Sequence, residues 1–222
     1  MRYPPASPAF ARRFYAVVRG AIAGFARFYW RLRVEGAERL PASGAFILAP
    51  VHRSNIDTPI MATLTRRYMR YLRKEEMWKY GWSAWLWDTL GAFPVQRDKV
   101  DRQALRKCED ALRAGEPLVV YAEGTRGTSP VIGNLFDGAA HLALRTGAPI
   151  FPVGIGGSAR AMPRGAKFFR PVRVCVVVGG PLHPDVPEQG HRVSRRAVKE
   201  LTDRLAKELQ AVHDQARIQA GD

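Results

Sequence analysis

Residues 117–121, Pro-Leu-Val-Val-Tyr, form a continuous apolar run between a helical pattern at 102–113 and a glycine-containing loop at 123–127. A run without polar alternation is typical of a strand whose two faces are both buried. Such strands occur mainly in parallel sheets, which need helical crossovers between neighbouring strands. This stretch therefore indicates an α/β fold.

The rest of the chain repeats the alternation of short aliphatic runs with helical patterns. The predicted strands are 32–35, 45–49, 69–72, 92–95, 118–122, 150–155 and 172–178. One predicted helix follows Asp57, and others cover 84–90, 102–113 and 138–145. A packing helix is predicted at the end of the chain, and its apolar stripe consists of Val198, Leu201, Leu205, Leu209 and Val212. We expect a single α/β domain with a central, mostly parallel β-sheet covered by helices.

Composition and charge limit the possible functions. The chain has 222 residues, and 35 Lys and Arg against 20 Asp and Glu give a net charge of +15. A surplus of this size suggests an anionic partner, which could be nucleic acid, a phospholipid surface or a phosphorylated substrate. Cys108 and Cys175 lie in no metal-binding pattern, so we expect two buried free thiols and no metal site.

The first 33 residues form a predicted N-terminal amphipathic element, separate in character from residues 34–222. At about 100° per residue, one helix face carries arginines and the opposite face is apolar. The arginine face comprises Arg12, Arg13, Arg19, Arg27 and Arg31, and the apolar face comprises Phe10, Phe14, Val17, Ala21, Phe25, Phe28 and Leu32. Such a helix either lies in a membrane interface or docks on its own domain, and both can hold.

No run of 18 apolar residues occurs, so a membrane-spanning helix is not predicted. A signal peptide is not predicted either, and we expect the protein to stay in the cytoplasm.

The segment 45–60 runs from an apolar strand into His52 and, five residues later, Asp57. Ser54 or Asn55 is a suitable N-cap, so we expect a helix to begin close to Asp57. A carboxylate at the helix start can orient an imidazole at the strand end, and such a pair is the apparatus of a general base. The alternative is a loop histidine beside an acid that interacts with the helix dipole.

Two further segments end strands with polar groups. Arg97 follows the strand 92–95 and is placed to face a ligand crevice, or else to pair with Asp98 or Asp101 on the surface. The loop after 118–122 contains Glu123, two glycines and Arg126, and these suit a phosphate contact. Glu123 is expected to orient Arg126 or to bind a substrate hydroxyl.

Together these segments form an ordered array. It reads His-x-x-x-x-Asp at 52–57, Phe-Pro-Val-x-Arg at 93–97, Glu-Gly-Thr-Arg at 123–126 and Ala-Pro-Ile-Phe-Pro-Val at 148–153. The array resembles the glycerolipid acyltransferase family, specifically the 1-acyl-sn-glycerol-3-phosphate acyltransferases (lysophosphatidic acid acyltransferases). The likeness covers roughly residues 34–155, so 34–222 would be the acyltransferase domain.

The resemblance implies transfer of a fatty acyl group from acyl-CoA or acyl-carrier protein to a lysophospholipid hydroxyl, without a covalent acyl-enzyme or a cofactor. His52 would be the general base and Asp57 its partner. Arg97 and Arg126 would hold the acceptor phosphate. Glu123, Gly124 and Thr125 would shape the acceptor site, and 149–153 would line the acyl-donor side. Glycerol 3-phosphate or another lysophospholipid is an alternative acceptor.

The sequence departs from the family pattern at a few positions. Val51 replaces the usual Asn, Tyr121-Ala122 replaces Phe-Pro, Gly127 replaces a common Ser, and Asp137 replaces a frequent Lys. The change at Asp137 weakens the case for a third cationic phosphate contact.

Between residues 66 and 87 the chain carries Arg66, Arg67, Arg70, Arg73 and Lys74, followed by Trp78, Tyr80, Trp82, Trp85 and Trp87. Aromatic and cationic residues favour an anionic membrane interface, although the aromatic cluster could equally lie inside the fold. We therefore expect a peripheral (monotopic) protein on the cytoplasmic membrane face. A basic nucleic-acid-binding module without catalysis is the second hypothesis, against which the sequence shows no nucleic-acid-binding motif, and nucleic acid is not an expected partner.

Overall fold

The computed structural model describes residues 6–95, 101–186 and 193–222. Seven strands form one sheet: β1 (Arg33–Glu35), β2 (Ile47–Pro50), β3 (Arg70–Lys74), β4 (Ala92–Val95), β5 (Leu118–Val119), β6 (Ile150–Gly156) and β7 (Cys175–Val178). The α-helices are α1 (Pro8–Tyr29), α2 (Asp57–Ala62), α3 (Gly81–Thr89), α4 (Arg102–Arg113), α5 (Gly138–Thr146), α6 (Ser158–Ala161) and α7 (Arg195–Ala220). Short 3-10 turns cover Ala37–Arg39 and Glu75–Trp78.

The strand order is β1-β7-β6-β2-β5-β3-β4, and only the β6–β7 pair is antiparallel. β2 lies at the centre, where Ile47 is in register with Leu118 of β5 and with Ile150 of β6. The carboxyl ends of β2, β5 and β6 therefore meet at one edge. The expected α/β fold with a mostly parallel sheet flanked by helices is confirmed.

Apolar side chains cover both faces of the sheet. Successive residues of a strand point to opposite faces, so Leu48 packs with Ile60 and Met61 of α2, whereas Ile47 packs with Leu112 of α4. The continuous apolar runs seen in the sequence follow from this two-sided burial. Both cysteines are buried free thiols as expected, and burial raises the pKa of the Cys108 thiol to about 12.

Helix α7 packs closely along β6. A Cβ at Gly154 would lie 2.0 Å from the Val212 carbonyl oxygen, and one at Gly156 would lie 2.1 Å from that of Ala216. Side chains at these two positions would push the helix away from the sheet. The predicted apolar stripe of α7 is buried, and His213 is buried with it.

Helix α1 packs on the domain through a different face from the apolar face that was predicted from the sequence. The face packed on the domain carries Tyr15 and Ala26 as buried residues, and α1 contacts α2 and α3. The predicted apolar face is largely solvent-exposed instead, with Phe28 92% and Val17 72% exposed.

Arg19 belongs to the predicted arginine face, but it does not point into the solvent. It lies at about −20° on the helical wheel, within about 40° of both Tyr15 and Ala26, and so turns toward the domain, where it is half-buried. Within the described ranges, no helix combines the length and the hydropathy needed to cross a bilayer.

Candidate active site

His52 and Asp57 meet at the carboxyl edge of the sheet. β2 ends at Pro50, the chain turns through His52, and α2 begins at Asp57. His52 Nδ1 lies 3.0 Å from Asp57 Oδ2, and the side chains are 13% and 0% exposed. Because an ionised carboxylate only accepts hydrogen bonds, Nδ1 carries the proton and Nε2 carries the lone pair. Within the described part of the chain, Nε2 has no hydrogen-bond partner.

The Asp57 carboxylate is also held by backbone groups. Its Oδ2 accepts hydrogen bonds from the Arg53 N–H at 2.7 Å and from the Ser54 N–H at 2.6 Å. The helix begins at Asp57 as predicted, but the expected N-cap is wrong. The residue before the helix is Ile56 without a side-chain cap, and the Ser54 hydroxyl donates to the Met162 carbonyl instead. The acid at the first helical position thus fixes the histidine loop.

Glu123 lies on the other side of the same loop. Arg53 Nη1 donates to Glu123 Oε2 at 2.7 Å and to Oε1 at 2.9 Å, with both side chains under 10% exposed. Glu123 Oε2 also accepts the His52 backbone N–H at 3.1 Å. The expected pairing of Glu123 with Arg126 is therefore wrong, since both carboxylate oxygens are engaged by Arg53 and one also by the His52 N–H. Glu123 fixes the position of the His52 backbone.

The loop that contains Gly124, Thr125 and Arg126 is tied to the histidine. The Gly127 N–H donates to the His52 carbonyl at 2.9 Å. Gly124 has a φ of +68°, and a Cβ there would lie 2.6 Å from the Phe136 ring, so only glycine fits. Arg126 is half-buried and Thr125 is exposed.

Similar sequences commonly have Ser at position 127, and the neighbouring side chains explain why this chain has Gly there. A Cβ at position 127 would lie 2.7 Å from Arg53 Nη1 and 3.3 Å from Glu123 Oε1. The Arg53–Glu123 pair therefore occupies the space that a side chain at 127 would need.

Tyr121 packs against the catalytic candidate. Its ring centroid lies 4.2 Å from that of His52, and its hydroxyl donates to Thr58 Oγ1 at 3.1 Å. Burial, followed by the charge of Asp57, raises the pKa of the Tyr121 phenol well above its usual range. Tyr121 is therefore uncharged, and its ring packs against the imidazole of His52. In the sequence, Tyr121 is recognisable only as a departure from the family pattern.

A cavity of 310 Å³, here called the apolar cavity, opens between α1, α2 and α3 beside the pair. Asn55 and Thr58, which flank Asp57 in sequence, line it. Its other lining residues are Tyr15, Val18, Arg19, Ile22, Pro59, Ala62, Tyr71, Arg73, Trp87, Leu90 and Ala92. Residues 149–153, which the family resemblance assigns to an acyl-donor side, do not line this cavity, because they are buried in the sheet between β2 and β7.

Arg73 was predicted only as part of the basic stretch before the tryptophan residues, and not as a residue of the site. It lies near the carboxyl end of β3 and lines the apolar cavity. Its guanidinium carbon lies 4.0 Å from the Trp87 ring centroid. Its position near the carboxyl end of a parallel strand is the signal that would have identified it.

Arg97 falls within 96–100, outside the described residues. The described part of the chain contains no cluster of three or more His, Cys, Asp or Glu side chains that could hold a metal ion.

Comparisons with known proteins agree with this architecture. The chain is 26% identical over 188 residues to a 1-acyl-sn-glycerol-3-phosphate acyltransferase of Bacillus subtilis, covering 83% of this chain and 90% of that protein. A chloroplast 1-acyl-sn-glycerol-3-phosphate acyltransferase of Arabidopsis thaliana is 24% identical over 159 residues, covering 70% of this chain. This chain spans only 44% of that plant protein's length.

The crystal structure of the 1-acyl-sn-glycerophosphate acyltransferase PlsC from Thermotoga maritima superposes with a TM-score of 0.70. It is 26% identical, and the match covers 92% of this chain and 83% of that one. The sequence model of the family described as Acyltransferase matches residues 31–156, more than half of the chain, and includes His52, Asp57 and the loop 123–126. The chain belongs to the Acyltransferase family.

Proposed function

We propose that this protein transfers a fatty acyl group from a thioester donor, acyl-CoA or acyl-carrier protein, to the free hydroxyl of a 1-acylglycerol 3-phosphate. The observation that carries the proposal is the His52–Asp57 pair, in which Nδ1 is held by a buried carboxylate and Nε2 has no partner within the described residues. A group of this kind removes a proton from a substrate hydroxyl without needing a nucleophile of its own. The named relatives support the choice of acceptor.

The reaction follows from that geometry. His52 Nε2 takes the hydroxyl proton while the oxygen attacks the thioester carbonyl carbon. Buried Asp57 stabilises the imidazolium that forms. The tetrahedral intermediate expels the thiolate, which receives the proton from Nε2, so the histidine returns to its starting state.

Cations at the carboxyl edge hold the acceptor phosphate. Arg126 is tied to His52 through the Gly127 N–H, and we assign it to the phosphate together with Arg97. Arg73, at the end of β3, adds a third positive charge. Gly124 and Thr125 shape the acceptor site, and Glu123 acts by holding Arg53 and the His52 backbone.

The apolar cavity receives a fatty acyl chain. Most of its lining residues are aliphatic or aromatic, with Arg19 and Arg73 as the charged ones, and it begins at the residues that flank Asp57. Burial of a methylene group contributes about 0.8 kcal/mol, so the cavity has the chemistry to bind a hydrocarbon chain beside the reacting atoms.

The central test replaces His52 by alanine. We expect kcat for acyl transfer to lysophosphatidate to fall by about 10²–10⁴, because water cannot supply a base at the same position. The measurement is release of free thiol with acyl-CoA and with acyl-carrier protein, against lysophosphatidate, glycerol 3-phosphate and another lysophospholipid.

His183→Ala, which changes an exposed histidine, is the matched control and should retain full activity. A folded His52→Ala protein that transfers acyl groups near the wild-type rate would contradict the mechanism. Transfer only to glycerol 3-phosphate would replace the proposed acceptor.

We also propose that the exposed aromatic surface seats the protein on an anionic membrane. This surface comprises Phe10, Val17, Phe25 and Phe28 of α1 with Phe168 and Phe169, and the Phe25 and Phe169 ring centroids lie 6.0 Å apart. Arg13 and Arg27 of α1 are exposed on the flank of the helix, between this surface and the opposite face, and suit anionic headgroups.

Val17→Ser combined with Phe28→Ser should weaken binding to vesicles containing an anionic phospholipid by at least about tenfold, because two exposed apolar side chains no longer enter the interface. Co-sedimentation with vesicles measures the effect. Ile218→Ser removes an equally exposed apolar side chain from α7 and should leave binding unchanged. Equal loss in both variants would contradict a surface centred on α1.

A further inference from the structure

A second cavity lies at the carboxyl edge, next to the Arg53–Glu123 pair. This polar cavity has a volume of 170 Å³. Its lining includes Arg53 after β2, Ser158 of α6 and His213 of α7, and also Thr128, Arg160 and Arg217. It shares no lining residue with the apolar cavity.

Buried polar atoms around the polar cavity lack partners within the described ranges. They are Arg53 Nε, Arg53 Nη2, Ser158 Oγ, His213 Nδ1 and His213 Nε2. The three residues are only 8%, 1% and 2% exposed. Each buried group of this kind costs about 1–3 kcal/mol when it is unpaired, so their convergence on one cavity indicates a ligand rather than chance.

The two edges of the Arg53 guanidinium differ in their hydrogen bonding. Its Nη1 donates to Glu123 and to the His52 carbonyl, whereas Nε and Nη2 have no partner. The Nε–Nη2 edge presents two parallel N–H donors, which is the geometry that binds a carboxylate or phosphate in a bidentate manner.

The lining of the polar cavity is rich in guanidinium donors, each also paired with one carboxylate, so the donors rather than a net positive charge favour an anion. Three guanidinium groups, of Arg53, Arg160 and Arg217, line it together with one carboxylate, of Asp222, which pairs with Arg160. Arg217 lies 4.0 Å from Asp214, and Arg53 pairs with Glu123. Burial and then the charge of Arg53 lower the pKa of His213 to about 4. His213 is therefore neutral and offers one N–H donor without adding a charge.

We propose that the polar cavity binds a tetrahedral oxyanion of the phosphate class, held by the Nε–Nη2 edge of Arg53, the Ser158 hydroxyl and one His213 N–H. The oxyanion comes either as free phosphate or as the phosphate group of a small monoester. Since the opposite edge of Arg53 holds Glu123 and the His52 carbonyl, the bound anion fixes the loop that positions His52. The proposal does not depend on the identity of the acyl acceptor.

The test measures thermal unfolding of the full chain in inorganic phosphate against chloride at equal ionic strength. Specific binding to the folded state raises the Tm in proportion to the logarithm of phosphate concentration. The background variant is Arg126→Gln, which removes the phosphate contact assigned to the acceptor site, and the shift should persist in it.

Ser158→Ala and His213→Leu should each weaken phosphate binding about tenfold in that background, because each removes one donor to an anion. His213→Leu should fold readily and unfold at a higher temperature than its parent without phosphate, since it replaces two unpaired buried nitrogens by an apolar side chain. A more stable protein that responds less to phosphate is a result that loss of folding would not produce.

Glycerol 3-phosphate in place of inorganic phosphate distinguishes the two sources. An equal Tm shift with both indicates that the cavity accepts phosphate monoesters, and a shift with inorganic phosphate alone identifies the free ion. The proposal is overturned if phosphate stabilises no more than chloride. It is also overturned if Arg126→Gln alone removes the shift, or if the shift survives in the Ser158→Ala, His213→Leu double variant.

Discussion

Asp57 and Glu123 are two buried carboxylates that contact the same histidine loop, and they differ in what balances their charge. Glu123 is paired with the guanidinium of Arg53. Asp57 accepts only backbone N–H groups and the His52 ring, and no Lys or Arg of the described residues pairs with it. The proton that His52 takes is therefore what balances Asp57. One carboxylate is suited to proton transfer and the other to holding the loop.

Asp57→Asn tests the role of Asp57 in proton transfer and should have the largest effect on activity. The amide keeps an oxygen at the Oδ2 position for the backbone N–H groups and for Nδ1–H, but it lacks the negative charge that stabilises the imidazolium formed during the reaction. We expect kcat to fall by about 10³–10⁴ with little change in stability. Steady-state acyl transfer measures it, with the exposed Asp110→Asn of α4 as the control. A loss of less than tenfold would show that Asp57 does not support the base.

Glu123→Gln should act mainly on stability. It leaves the Arg53 charge buried without its partner, which costs about 3–5 kcal/mol in the free energy of unfolding. Urea unfolding measures this, and kcat per folded molecule should fall less than in Asp57→Asn. Adding Arg53→Met should restore part of the lost stability. Additive losses in the double variant would mean that the two side chains do not depend on each other.

Gly127→Ala should produce the smallest effect, through the same ion pair. The added methyl group meets Arg53 Nη1 and must displace it, at a cost of about 1–3 kcal/mol. Gly133→Ala is the matched control, since a Cβ there meets no atom within 4 Å. Unfolding midpoints in urea give the difference. Equal midpoints in the two variants would show that Arg53 has another position open to it.

The strands could be predicted because a strand that is buried on both faces consists of a continuous run of apolar residues. The predicted strand at 92–95 and the helix at 102–113 match β4 and α4 residue for residue. The run at 118–122 was too long, because the ladder of β5 ends at Val119, before the chain turns into the Glu123 loop. The pairing of His52 with Asp57 was predictable because five residues and a helix start separate them.

Long-range partners were not predictable in the same way. Arg53 and Glu123 are 70 positions apart, and nothing in the spacing of either residue distinguishes Arg53 from the chain's other arginines. Likewise, hydrophobic periodicity found two opposite faces on α1, but small residues such as Ala26 decided which stripe packs on the domain. Periodicity measures how polar a face is, whereas docking depends on how closely two backbones can approach.

Helix α1 separates the apolar cavity from the exposed aromatic surface by the thickness of a single helix. Val18 lines the cavity, while Val17, one residue earlier, is exposed on the outside. On the proposed seating, a lipid that enters beside α1 moves laterally from the bilayer without crossing bulk water. The velocity should then follow the mole fraction of acceptor within the vesicle surface, and diluting it with inert lipid at constant bulk concentration should slow the reaction.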